Sequence, residues 1–149
     1  MEQRKHLQGS CKKHGSTKFV VTSDGYSRCQ KCGAEQVKTF RQRLKSKLVK
    51  LFGGKCQACG YNRHNRALQF HHVDPSQKKF AVAGNGCPQS FRSSLEEAIK
   101  CVLVCANCHA EIEDGVRECP ELLLAHADVD ELSRKPQPRH SKEFRSDSL

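Results

Sequence analysis

The chain has 149 residues, a formal charge of +10, aromatic residues at only 6% and no tryptophan. One ordinary domain or two small ones fit that length, but a single large hydrophobic core does not fit that composition, so metal ions are expected to replace part of it. Ten cysteines, with no signal-peptide pattern and no apolar run long enough to span a bilayer, predict a soluble intracellular protein that is not secreted, in which reduced thiolates bind zinc rather than pair as disulfides.

The charge is unevenly spread. Residues 1–55 carry 14 Lys/Arg against three acids, whereas residues 56–149 carry 12 against 13. Such asymmetry suits a polyanionic partner, because each phosphate neutralised by Lys or Arg releases counterions and adds sequence-independent affinity. The alternative is a basic face that is merely solvated.

In chain order, the first cluster is Cys11-Lys12-Lys13-His14, followed after fourteen residues by Cys29-Gln30-Lys31-Cys32. Between them Phe19-Val20-Val21-Thr22 is β-prone, Ser23-Asp24-Gly25 is a turn and Tyr26-Ser27-Arg28 is a returning strand. This reads as a zinc ribbon over residues 1–34, with Cys11, His14, Cys29 and Cys32 as tetrahedral ligands. From Glu35 onward Val37, Phe40, Leu44, Leu48 and Leu51 recur at spacings of three and four, which predicts a helix that Gly53-Gly54 ends. Its other faces carry Lys38, Arg41, Arg43, Lys45, Lys47 and Lys50. Residues 35–54 are thus a basic amphipathic helix or linker suited to lie along a DNA backbone, with membrane-surface and partner-helix uses as alternatives.

A second set, Cys56-Gln57-Ala58-Cys59 and Cys105-Ala106-Asn107-Cys108, has 45 residues between its knuckles. That gap is too long for an ordinary finger loop, but the four cysteines form one structural zinc site if the knuckles lie side by side. Inside the excursion, Leu68-Gln69-Phe70-His71-His72 alternates as a strand up to Pro75. Adjacent strand residues face opposite sides, so one imidazole can face a metal and the other a water molecule. Residues 76–92 read as a long polar loop, and Ser93-Ser94-Leu95-Glu96-Glu97 as the capped start of a short helix. Cys101-Val102-Leu103-Val104 is strand-like, with Cys101 a small buried side chain. Cys108 then enters a helix in which His109 and Glu113, four residues apart, share a face and can reach one ion. Glu111 is expected to be solvated, His64, His126 and His140 to lie on the surface, and Cys87 and Cys119 to be free thiols. Residues 121–133 suggest a terminal helix and the remainder a disordered tail.

The run from Cys56 to about Gly115 resembles the HNH endonucleases, the ββα-metal or His-Me finger group, especially small phage and bacterial members framed by two Cys-x-x-Cys knuckles. A weaker resemblance extends over the N-terminal ribbon and basic helix. It implies an α+β fold in which a zinc-stabilised ββα-metal core at 55–118 follows the ribbon and helix and precedes a C-terminal segment at 119–149. It also implies a host-cytoplasmic location if the chain is phage-encoded. Carried over by position, His71 is similar to the first metal ligand, His72 to the general base and His109 to the ligand histidine opening the helix. Glu113 stands where many relatives have a final histidine, and as a harder carboxylate ligand it suits Mg²⁺ or Mn²⁺, with Ni²⁺ also considered.

The implied reaction is metal-dependent hydrolysis of a DNA phosphodiester by one divalent ion, with Arg63, Arg66 or Lys100 holding the phosphate. The asparagine that gives the family its middle letter is absent, since Lys100 stands about where it would be. A backbone carbonyl, Asn85 or Asn107 is expected to orient the base histidine instead. The alternative function is a zinc-stabilised DNA-binding protein whose HNH scaffold does not catalyse. Neither reading requires a small-molecule cofactor.

Overall fold

The computed structural model describes residues 6–82 and 90–124, together with positions 129, 131 and 134. Asn85, Cys87, His126, His140, most of the 121–133 segment and the tail beyond lie outside the described residues.

Near the N-terminus, β1 (His6–Cys11), β2 (Gly15–Val21) and β3 (Ser27–Cys29) form an antiparallel sheet in the order β1-β2-β3. β1 lies outside the hairpin read from the sequence. Cys11 pairs with Gly15 across the first turn, and Gly15 takes a φ of 62°, which glycine adopts without a steric penalty. The second turn closes as expected over Ser23-Asp24-Gly25, with the Thr22 N–H donating to the Tyr26 carbonyl at 2.8 Å. Gly9 is required by packing, because a Cβ there would lie 2.9 Å from the Phe19 ring.

Helix α1 spans Gln30–Leu51, starting immediately after Cys29 and five residues earlier than the sequence periodicity indicates. The knuckle Cys29–Cys32 is therefore the entry into the helix. At the other end Gly53 and Gly54 have φ of 85° and 70°, and the Gly54 N–H donates to the Val49 carbonyl at 2.9 Å, terminating the helix as read. Leu44, Leu48 and Val49 are buried, while Phe40, on the expected apolar face, is exposed. The apolar stripe is used only over the C-terminal half of α1, where it meets the core.

That core surrounds a second, two-stranded antiparallel sheet of β4 (Leu68–His72) and β5 (Cys101–Cys105), in register from Leu68 opposite Cys105 to His72 opposite Cys101. Val102, Leu103 and Val104 are fully buried, the continuous apolar run of a strand covered on both faces. Phe52 packs edge-on against Phe70 at 5.2 Å between ring centroids, joining the end of α1 to β4. Helix α2 (Phe91–Ala98) places Leu95 and Ala98 in the same core. Its cap is Ser90, whose Oγ accepts from the Ser93 N–H at 3.1 Å, so the helix begins earlier than the Ser93 start inferred from sequence. Helix α3 (Ala106–Glu113) follows β5 directly.

Among the described residues the fold is thus small α+β, with three α-helices and two antiparallel sheets. No helix among them is long and apolar enough to cross a membrane.

Because Leu48 is fully buried between α1 and the β4–β5 core, Leu48→Ala is expected to cost about 2–5 kcal/mol. Denaturant unfolding of the two proteins under identical conditions measures it. A loss below about 1 kcal/mol would mean that α1 is not anchored by this residue.

Candidate metal centres and the histidine pair

The N-terminal cluster draws Cys11 from the end of β1, His14 from the following turn, and Cys29 and Cys32 from the junction of β3 with α1. His14 Nδ1 lies 3.7, 3.6 and 3.4 Å from the sulfurs of Cys11, Cys29 and Cys32, and the Cys11 and Cys32 sulfurs are 3.6 Å apart. Bonds of about 2.3 Å to sulfur and 2.0 Å to nitrogen around a tetrahedral centre put neighbouring ligand atoms about 3.5–3.8 Å apart. The donor set and its spacing therefore fit zinc. The backbone N–H groups of Lys13 and His14 draw the Cys11 thiol down to about 6, towards the thiolate that a metal requires. Glu35 supports the site from outside: its Oε1 is 3.1 Å from His14 Nε2 and its other oxygen pairs with Lys13, so Nδ1 is turned inward to the sulfurs.

The second cluster brings Cys56, Cys59, Cys105 and Cys108 together across the 45-residue excursion. The backbone shows how. The Gln57 N–H donates to the Leu103 carbonyl at 2.8 Å, and the Leu103 N–H donates to Gln57 Oε1 at 3.1 Å, so the first knuckle is bound to β5 two residues before Cys105. Gly60, with a φ of 77°, turns the knuckle so that its N–H reaches the Cys56 carbonyl at 2.8 Å. Cys59 and Cys105 sulfurs are 3.7 Å apart, again a tetrahedral edge. Burial raises the Cys56 thiol, but N–H groups of Cys105, Cys59 and Ala58 outweigh it and leave the value at about 7. Both four-residue clusters could hold structural zinc.

The third cluster contains the expected trio. His71, near the end of β4, and His109 and Glu113, one turn apart on α3, have ligand atoms within 4.8 Å of one another. The imidazoles of His71 and His109 meet edge to face at 4.9 Å between centroids, and His109 Nδ1 lies 3.3 Å from a Glu113 oxygen. Burial, then the charge of His109, lowers the His71 pKa and so favours the neutral imidazole that ligates metals. Two nitrogens and one carboxylate oxygen form an incomplete shell that could hold a divalent ion and leave positions for other ligands.

His72 does not join that trio. It is 7% exposed, and its Nε2 lies 2.9 Å from Oε1 of Glu97, which is itself 1% exposed on α2. The same carboxylate accepts from the Lys79 N–H at 2.6 Å and from Lys100 Nζ at 2.7 Å. Burial opposes ionisation of Glu97, but Lys100, the Lys79 N–H and His72 together hold its pKa at about 2, so it is ionised. His72 also lines a cavity of about 250 Å³ with Lys45, Phe70 and Lys78.

Several sequence expectations change here. Two of the three donors of the Lys100 ammonium are already engaged, by Glu97 at 2.7 Å and by the Gln77 carbonyl at 3.1 Å. Among the described residues the group that meets His72 is neither Asn107 nor a backbone carbonyl but Glu97, which in the sequence stands out only as part of a helix start. Its signal is the Glu97–Lys100 spacing of three beside a buried strand, which reads equally well as a surface ion pair. Glu111 is not simply solvated, because its carboxylate pairs with Arg117. Of the basic residues on α1, Lys38, Arg43, Lys47 and Lys50 are exposed and Arg41 is half-buried. Lys45 is also half-buried and donates to the Arg66 carbonyl at 3.3 Å, while Lys47 sits 3.6 Å over the Phe91 ring. Lys38 and Arg43 also border, with Lys13 and Phe40, an open surface depression of about 800 Å³.

Comparison of the chain with protein-family models, curated proteins and solved structures returns no match.

Cys32→Ser and Cys105→Ser are each expected to remove one zinc ion per chain from dialysed protein, as measured by elemental analysis. Retention of full zinc content by either variant would exclude its cluster as a closed four-ligand site.

Proposed function

We propose that this chain is a metal-dependent DNA endonuclease of the HNH type. The observation that carries the reading is the convergence of His71, His109 and Glu113 on one point of a β4–β5–α3 unit framed by four cysteines. His71, His109 and Glu113 would hold one divalent ion, Mg²⁺, Mn²⁺ or Ni²⁺, and the cysteine clusters zinc. When bound, the ion would supply electrophilic stabilisation of the charge that develops on the phosphoryl oxygens and on the leaving 3′ oxygen. His72 acts as general base: it takes a proton from water as the water oxygen bonds to phosphorus, the bond from phosphorus to the 3′ oxygen breaks, and solvent protonates that oxygen. The products are a 5′ phosphate and a 3′ hydroxyl.

DNA as partner is supported by the basic excess of residues 1–55 and by the exposed Lys38, Arg43 and Lys50 on α1. Lys45 and Lys78, which share the cavity with His72, add positive charge near the base. A second reading, a zinc-stabilised DNA-binding protein without cleavage, is favoured by one observation. His72 is largely buried and bonded through Nε2, as a structural histidine would be.

The two readings separate on supercoiled plasmid. Nicking or linearisation that needs Mg²⁺, Mn²⁺ or Ni²⁺, stops with EDTA and falls at least about 100-fold in His72→Ala supports the nuclease. Binding without cutting in any of these ions moves the assignment to the second reading. Under either one, a Lys38→Ala/Arg43→Ala/Lys50→Ala variant is expected to flatten the slope of log affinity against log salt by up to about 3, roughly one for each phosphate that is no longer neutralised. An unchanged slope would remove this face of α1 from the interface.

A further inference from the structure

From the geometry around His72 we infer that Glu97 is a positioning residue, which holds the general base in one orientation and one tautomer and so does the work of the asparagine this chain lacks. The inference rests on the nuclease reading. A base histidine must present an unprotonated nitrogen to water, and something must fix which nitrogen that is.

Glu97 fixes it through the bonds it already accepts. Its Oε1 takes the Lys79 N–H at 2.6 Å and its Oε2 takes Lys100 Nζ at 2.7 Å. A carboxylate bonded in this way has acceptors only, so at the 2.9 Å contact with His72 the imidazole is the donor, through Nε2–H. Nδ1 is then the unprotonated nitrogen left for water.

Each partner of this arrangement is held by a different element. His72 ends β4, Glu97 is in the last turn of α2, Lys100 sits between α2 and β5, and Lys79 follows the turn after β4. The bond from Lys100 Nζ to the Gln77 carbonyl, at 3.1 Å, ties the last two together. Lys100 stands about where the family asparagine would be, and here it fastens Glu97, which is the residue that touches the histidine. A buried carboxylate meeting only His72 would be costly, and the two further donors offset that cost.

The test uses the zinc-loaded protein. Two-bond proton–nitrogen correlation spectra of ¹⁵N-histidine-labelled protein, with the His72 signal assigned by its loss in His72→Gln, are expected to show the Nε2–H tautomer. Glu97→Met keeps the length of the side chain and removes its acceptor oxygens, and Glu97→Met/Lys100→Met avoids leaving an unpaired ammonium should the single variant fold poorly. In the ion that supports cleavage, either variant is expected to lower the single-turnover rate at saturating plasmid about 10–100-fold. Plasmid affinity, zinc content and Mn²⁺ affinity should stay at wild-type values. An Nδ1–H tautomer in the wild type, or wild-type rates in both folded variants, would overturn the inference while His72→Ala still reports a nuclease. Absence of cleavage by the wild type in every ion would overturn the nuclease reading and this inference with it.

Discussion

The structure depends first on the meeting of two short knuckles, Cys56–Cys59 and Cys105–Cys108, separated by 45 residues of chain. Everything between them is an excursion whose two ends are held by four sulfurs and by the reciprocal bonds of Gln57 with Leu103. Closing so long a loop is entropically unfavourable, and the core available to offset it is small. An ion in the cluster would restrain both ends of the excursion. It would also fix the start of α3, from which His109 and Glu113 meet His71 of β4.

The second constraint is the pleat of β4. His71 and His72 are neighbours in sequence, yet one meets α3 and the other meets α2. Strand alternation thereby separates an incomplete ligand shell from a buried histidine–carboxylate pair without a loop between them. Helix α2 contributes to the core through Leu95 and Ala98 and to the pair through Glu97 from one face of two turns. Packing and polar satisfaction are thus supplied by the same element.

How much of this is legible in the sequence follows from the range of each interaction. The two cysteine clusters and the His71, His109 and Glu113 trio can be read because knuckle spacing, strand alternation and the helical interval of four are local rules. The turn at Ser23-Asp24-Gly25 and the stop at Gly53-Gly54 are equally local. The role of Glu97 cannot be read, because 25 residues separate it from His72 and nothing nearby marks it as buried. The bond from Lys100 to Glu97 is as hard to read, because a spacing of three suits a surface ion pair equally well. The apolar stripe of α1 is correct as a pattern, but only tertiary packing decides that Leu44 and Leu48 are covered while Phe40 is not. Periodicity alone starts α1 too late because the apolar pattern does not reach back into the knuckle that opens the helix.

That junction recurs, and it bears on how the helices begin. Cys29 occupies the cap of α1 and Cys105 the cap of α3, and in neither case does a side chain bond the free N–H groups, nor is there an acid in the first turn. The usual devices for starting a helix are missing at both, and in each place stand cysteines of a four-ligand cluster that could hold a zinc ion. An isolated helix of eight residues, the length of α3, is too short to persist in water. A zinc ion held by either cluster would therefore tie the first turn of a helix to a distant part of the chain, and for α3 that tie would join its start to the Cys56–Cys59 knuckle.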